Sequence, residues 1–293
     1  MKNSSKSAGN SAVYYGMYIL SMLIFGANGF LVAHISVESS QIVLVRTFLG
    51  GLILTVLVLL RGGFERKTVR EEFRFLVLGG IALGLNWVAL FSAYRLLNVS
   101  LATLIYYAGP MLVLLFSPLL FREKLTKTKI AAILIVAVGL VCITGSIAAS
   151  GFSVSGLMTA VAAALFYAAL IVFNKRIEKT SGLQTAALEL DIAFVVVLIY
   201  VLVTAGLPRP QRSDIPYLLV IGLVNTGLAY LLYFSGLQKL PAQSVAMISY
   251  VDPVSALLFS AVLLGETMSP TQIVGAVLII GGAILGEIKK RKP

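Results

Sequence analysis

The segment YAGPMLVLLFSPLLFRE at Tyr107–Glu123 returns as YVDPVSALLFSAVLLGE at Tyr250–Glu266, 143 residues further on and without a gap. Pro110 falls on Pro253, Leu114–Ser117 on Leu257–Ser260 and Glu123 on Glu266. The same offset carries Gly84 to Gly227, Trp87 to Tyr230, Phe91-Ser92 to Phe234-Ser235 and Gly139 to Gly282. Apolar helices resemble one another through Leu, Ala and Gly, but that bias does not align prolines and glutamates at one spacing. The chain is an internal duplication.

Composition says what is duplicated. Of 293 residues, 59% are hydrophobic and 12% charged, and the mean hydropathy is +0.97. A soluble domain is about half apolar and about a quarter charged. A soluble enzyme with one anchor, a disordered chain and a disulfide scaffold are excluded; the lone Cys142 reads as a small packing residue. Apolar runs cover Val13–Ile35, Gln41–Leu60, Phe73–Leu97, Leu101–Phe121, Thr126–Ser146, Val154–Asn174, Gly182–Gly206, Asp214–Gln238, Ala242–Leu264 and Pro270–Glu287. Each suits a helix of ~20 residues crossing a bilayer, and none alternates as a barrel strand would. The first run lacks a short core with a small-residue cleavage site, so it reads as a retained span.

Five spans per copy is an odd number, so the second copy enters the membrane from the opposite side. The expected fold is an all-α membrane protein of ten transmembrane helices in two inverted five-helix repeats. The repeats occupy 13–146 and 154–288, with a tail at 1–12 and a basic tail at 289–293. Of the 23 Lys and Arg, 19 fall on one face, 3 on the other, and Arg46 lies inside a span. That imbalance places both termini in the cytoplasm of a plasma (inner) membrane. The net charge of +11 is thereby assigned to anionic lipid and not to nucleic acid.

The chain resembles the EamA domains of the drug/metabolite transporter superfamily, in its ten-helix branch. The resemblance rests on FGANGF (Phe25–Phe30), the arginine of LVRTFLGG (Leu44–Gly51) and the stretch Gly236–Ile284, with its proline, LGE turn and Gly-rich final helix. A weaker copy is LLFREKLTKTKIAAILIVAVGL, Leu119–Leu140. It implies a secondary carrier that moves a small organic metabolite, an amino acid or related compound, outward by alternating access. It leaves the solute open among amino acids, nucleotide-linked compounds, polyamines, choline and drugs.

No catalytic constellation is present: no HExxH, GxSxG or P-loop, one histidine and one cysteine. No enzyme activity, cofactor or metal is expected. His34, near the outer end of the first span, reads as interfacial. Ionisable groups inside spans are costly, on the order of 2.5–3.5 kcal/mol each, which makes Arg46, Glu189, Asp191 and Asp252 candidates for charge or coupling roles. Arg46 and Glu189 are related by the 143-residue offset. Arg46 either snorkels to the outer interface or faces the bundle, and Glu189 near the inner end has the same alternatives. Asp191 lies ~200° around the helix from Glu189, so the two acids cannot share a face.

Asp252 is mid-span, just before Pro253, and its twin is the uncharged Gly109. It either meets a cationic group or a proton, or is a neutral acid bonded to Tyr or Ser. Around it at mid-depth come Asn28, Asn86, Trp87, Tyr106, Tyr107, Phe166, Tyr167, Asn225, Tyr230 and Tyr250. Rings with a few polar groups suit an organic solute. With an acid nearby they also suit a quaternary or protonated amine, which makes an organic-cation carrier the second reading. A membrane enzyme or a non-transporting protein is the third. Pro110 and Pro253 are expected to kink the fourth and ninth spans, as static bends or as hinges. Ser269–Gln272 reads as a capping box. Gly80–Gly84 and Gly282–Gly286 permit close helix approach within a monomer or across a homodimer. The expected partners are the solute, the lipid bilayer and, as a candidate coupling ion, the proton.

Overall fold

The computed structural model describes residues 2–97, 99–144, 153–265 and 267–287. Glu266, Asn98 and the 289–293 tail lie outside them. Among the described residues the regular structure is entirely helical: α1 (Lys2–Gly26), α2 (Asn28–Ala33), α3 (Ser39–Leu60), α4 (Arg66–Leu96), α5 (Val99–Tyr106), α6 (Ala108–Phe121), α7 (Lys127–Thr144), α8 (Val154–Asn174), α9 (Gly182–Thr204), α10 (Ile215–Gly222), α11 (Ala229–Lys239), α12 (Ala242–Ile248), α13 (Val251–Leu263) and α14 (Pro270–Glu287). Among the described residues nine stretches are long and apolar enough to cross a membrane, and the 18-residue α7 brings the spans to nine or ten. Leu60, Leu119, Val203 and Val262 stand largely exposed on the outside, as side chains facing lipid do.

Four spans are not simple helices. The first breaks at Ala27, within FGANGF, into α1 and α2. The eighth carries a π-helical segment, Leu223–Leu228, between α10 and α11. The fourth and ninth break outright where kinks are expected. A proline lacks an N–H and its ring collides with the carbonyl four residues earlier, so a continuous helix through Pro110 is disfavoured at Tyr106. The chain breaks at Tyr107, and Pro110 falls in the first turn of α6, where a missing N–H costs nothing. Pro253 stands likewise in the first turn of α13, after the break at Ser249–Tyr250.

Packing pairs α4 with α8 and α9, α1 with α11, α3 with α9, and α7 with α14. The α7–α14 crossing needs bare backbone. A Cβ on Gly139 would stand 2.8 Å from Gly275 O, and one on Gly275 would stand 2.7 Å from Gly139 O. Both GxxxG pairs serve contacts inside the chain: Gly80 and Gly84 meet Ile192 and Val196 of α9, and Gly282 and Gly286 meet Val136 of α7 and Met247 of α12. The Ser269–Gln272 capping box forms, with Ser269 N donating to Gln272 Oε1 at 2.8 Å and Gln272 N to Ser269 Oγ at 3.3 Å.

Two carboxylates anchor loops. Glu72, on α4, accepts from the backbone N–H of Glu178 (2.8 Å), Lys179 (3.0 Å) and Thr180 (2.8 Å), and from Thr180 Oγ1 (2.7 Å). Asp214, before α10, accepts from Ser36 N (3.1 Å), Ser36 Oγ (2.7 Å) and Gln211 N (2.9 Å). Ser36 and Lys179 are 143 residues apart, so the two anchors grip repeat-equivalent loops.

Candidate functional site

The broken spans bring aromatic rings to the middle of the bundle. Tyr107, at the α5–α6 break, donates its hydroxyl to Asp252 Oδ2 at 3.1 Å. Tyr250, at the equivalent break, donates to Tyr107 O at 3.0 Å, a carbonyl at the break in the helix. Tyr106 stacks on Tyr167 with centroids 5.2 Å apart and planes at 12°. Trp87 meets Tyr230 edge-on at 5.6 Å, and Phe25 lies 5.0 Å from Tyr230. Asp252, in the first turn of α13 and held by Tyr107, is only half-buried.

Arg46 does not reach for the interface, contrary to the snorkelling alternative. It is 7% exposed, donates Nε to Thr226 Oγ1 at 2.8 Å and Nη2 to Asn225 O at 3.3 Å, and lies 5.1 Å over the Trp87 ring. The π-helical segment supplies both acceptors, the Thr226 hydroxyl and the Asn225 carbonyl, the latter in a turn whose extra residue shifts carbonyls out of the regular ladder. Composition and spacing gave no signal for that segment. Asn225 also donates Nδ2 to Ile24 O (2.6 Å) and to Asn28 Oδ1 (3.3 Å), tying the α1–α2 break to the same cluster.

Other sequence-named residues lie elsewhere. Asn86 donates to Ala163 O at 2.7 Å and so bridges α4 to α8. Glu189 is fully buried between α9, α8 and α4, where Asn174 Nδ2 donates to both its oxygens at 2.9 and 3.0 Å and Gly79 leaves room for the carboxylate. Asp191 faces the other way, toward α3, and accepts from Thr55 Oγ1 at 2.7 Å. Each acid thus pairs with a different neighbouring helix, as their angular separation requires. His34 is at the surface, its Nδ1 2.8 Å from Phe30 O and its ring stacked on Tyr217. Cys142 packs in the α7–α14 contact beside Gly275.

The surroundings of α12 are densely packed. All seven residues of α12 are buried, as are Tyr18, Met22, Phe234 and Leu237. Two charged groups clamp the α11–α12 turn. Glu123 accepts from Ala242 N (2.7 Å) and Gln243 N (3.0 Å) at the start of α12, while Lys175 donates to Leu237 O and Leu240 O at the end of α11. Both match the helix dipole at the end they occupy. Burial pulls the Lys175 ammonium down to about 8, with the nearby Glu123 carboxylate opposing. The α5 helix is looser: of residues 102–106 only Ala102 is buried.

A helical membrane protein with broken spans around a charged, ring-lined centre belongs to the class of secondary transporters. The pattern of the EamA-like transporter family matches residues 12–145 and again 154–286. The chain belongs to that family, and it is an integral membrane transporter of small organic molecules, not an enzyme. It is 30% identical over 280 residues to an uncharacterized transporter, YxxF, of Bacillus subtilis, covering 93% of this chain and 89% of the relative. It is 31% identical over 195 residues to a probable amino-acid metabolite efflux pump of Salmonella typhimurium, covering 62% of this chain and 65% of the relative. It is 26% identical over 206 residues to the aromatic amino acid exporter YddG of Ancylobacter novellus, covering 69% and 71% respectively. A solved crystal structure at 21% identity superposes with a TM-score of 0.83, covering 94% of this chain and 97% of the other, and so shares the fold.

Proposed function

We propose that this chain exports an amino acid or a closely related metabolite by alternating access between two inverted repeats, 13–146 and 154–288, with both termini cytoplasmic. The observation that carries the reading is the difference between two equivalent half-helices. α12 is buried on all seven residues, whereas α5, its counterpart in the other copy, is half-buried over 103–106. Two copies of one unit in different environments describe a centre reached from one side; exchanging those environments opens the other side.

Three further features support the inverted pairing. The Glu72 and Asp214 anchors hold loops 143 residues apart. The pairs α4–α8 and α11–α1 join equivalent spans in exchanged roles, and α7–α14 joins a span to its own twin. Asn28, Trp87, Tyr106, Tyr107, Tyr167, Asn225, Tyr230, Tyr250 and Asp252 then surround the solute, with Pro110 and Pro253 letting the half-helices swing. The relatives named for amino acids favour that solute class.

An organic-cation solute is the second reading, because Asp252 sits among tyrosine rings. Counterflow in proteoliposomes without nucleotide decides between them. Vesicles loaded with unlabelled amino acids should accumulate a labelled one transiently, and quaternary amines should not compete. Competition by the amines alone would move the assignment to the second reading, and absence of counterflow with any solute of either class would refute the carrier reading.

A further inference from the structure

Arg46 and Asp252 are the two charges of the central cluster, and neither enters an ion pair among the described residues. Among the described residues the ion pairs are Arg95–Glu38 and Lys179–Glu71, both well exposed. The Arg46 partners, Thr226 Oγ1 and Asn225 O, are neutral, and they occupy two of its five N–H groups. The free edge of the guanidinium is a fork suited to two carboxylate oxygens. Asp252 has one oxygen on the Tyr107 hydroxyl, and its second oxygen makes no hydrogen bond among the described residues. Arg46 and Asp252 stand in the same ring cluster, but no ion pair joins them.

A buried charge without a counter-ion is costly, and here two of opposite sign are held apart. A simple cation would satisfy Asp252 and leave Arg46 facing a like charge. A simple anion would do the reverse. We propose that Arg46 and Asp252 form a split-charge cradle for a zwitterion: a carboxylate on the free fork of Arg46, an ammonium on the open oxygen of Asp252, and an apolar or aromatic side chain among Trp87, Tyr106 and Tyr230. The cradle rests on the carrier reading above and adds its recognition chemistry. Neither charge is duplicated, since the twin of Arg46 is Glu189, bound to Asn174, and the twin of Asp252 is Gly109. The ligand is therefore oriented, its carboxylate toward α3 and the π-helical segment and its ammonium toward α13.

Trp87 is the one tryptophan of the chain and lies beneath Arg46, so intrinsic fluorescence excited beyond phenylalanine absorption reads the site directly. The full chain in detergent is titrated with L-phenylalanine, phenethylamine and 3-phenylpropionate, which share a ring and differ in their charges. The cradle predicts that phenylalanine binds at least about tenfold tighter than either singly charged analogue. Arg46→Gln should reduce phenylalanine to the level of the amine, and Asp252→Asn should reduce it to the level of the acid. The wild-type comparison needs no variant, so a variant that fails to fold does not shield the idea. Phenethylamine binding as tightly as phenylalanine, or none of the three probes perturbing Trp87, overturns the cradle. Counterflow of a cation surviving in Arg46→Gln would leave the carrier reading intact while removing the cradle.

Discussion

Arg46 and Glu189 occupy the same place in the two copies and do opposite work. Arg46 turns toward the ring cluster, lies over Trp87 and keeps part of its hydrogen-bonding capacity free. Glu189 turns into a helix contact, where Asn174 engages both oxygens and Gly79 makes room. The difference comes from the neighbours. Arg46 faces the π-helical segment of the eighth span, with its two acceptors, while the matching stretch of α4 is regular helix and offers Gly79 and Gly80. A duplicated backbone fixes where a side chain starts; the facing helix decides whether it becomes recognition or packing.

The comparison can be broken by moving each charge. Arg46→Gln should lower transport on the order of a hundredfold, since a lost charged hydrogen bond to a buried partner is worth roughly 2–5 kcal/mol, while the melting temperature in detergent stays near wild type. Glu189→Ala should do the converse. It leaves the Asn174 amide without its acceptor and opens a void, so about 2–4 kcal/mol of stability is lost, and transport per folded molecule is kept. Thermal unfolding and counterflow measured on the same preparations separate the two. Glu189→Gln, which retains an acceptor for Asn174, should cost only about 1 kcal/mol.

A subtler contrast is Lys175 against its equivalent Val32, which has no charge. Lys175 meets Glu123 across the α11–α12 clamp, and Lys239 stands exposed at the end of α11. Folding lowers the Lys175 value from 10.5 to about 8, so between those limits the unfolded chain holds more protons than the folded one. Stability attributable to this group therefore rises as pH climbs from about 8 toward 10.5. Melting temperature followed across that range should rise in wild type relative to Lys175→Met; parallel curves would show that the ammonium is not buried in the clamp. The smallest effect is expected for Asp191→Asn, which keeps an oxygen to accept from Thr55 and should change stability by about 1 kcal/mol or less.

The span pattern, the duplication and the aromatic cluster were legible because each is a local or periodic property. Apolar runs mark spans, and Trp87, Tyr230, Tyr107 and Tyr250 fall near their centres. The breaks at Tyr107 and Tyr250 were only half legible: the prolines announced a disturbance, but whether a helix bends or parts depends on what can satisfy the freed backbone, as Tyr250 does for Tyr107 O. The orientation of Arg46 was not legible at all. It depends on Thr226 and Asn225, 180 and 179 residues away, and on a helical irregularity without a compositional mark. The partner of Asn86 was not legible either, because an amide at mid-depth reads the same whether or not it bonds a neighbouring helix, as Asn86 does at Ala163 O.

One-sided access to the centre is the claim on which the rest depends, and paired cysteine labelling measures it. In a Cys142→Ala background, cysteines replace Ser249 in the densely packed half and Thr103 in the looser half, and a membrane-impermeant thiol reagent is applied from each side. The account predicts that, before solute is added, Thr103→Cys is modified from the face opposite the basic loops and Ser249→Cys is protected. A transported solute should then raise labelling of Ser249→Cys from the basic-loop face as labelling of Thr103→Cys falls. Both positions reacting together, or neither responding to a solute that is demonstrably transported, would contradict it.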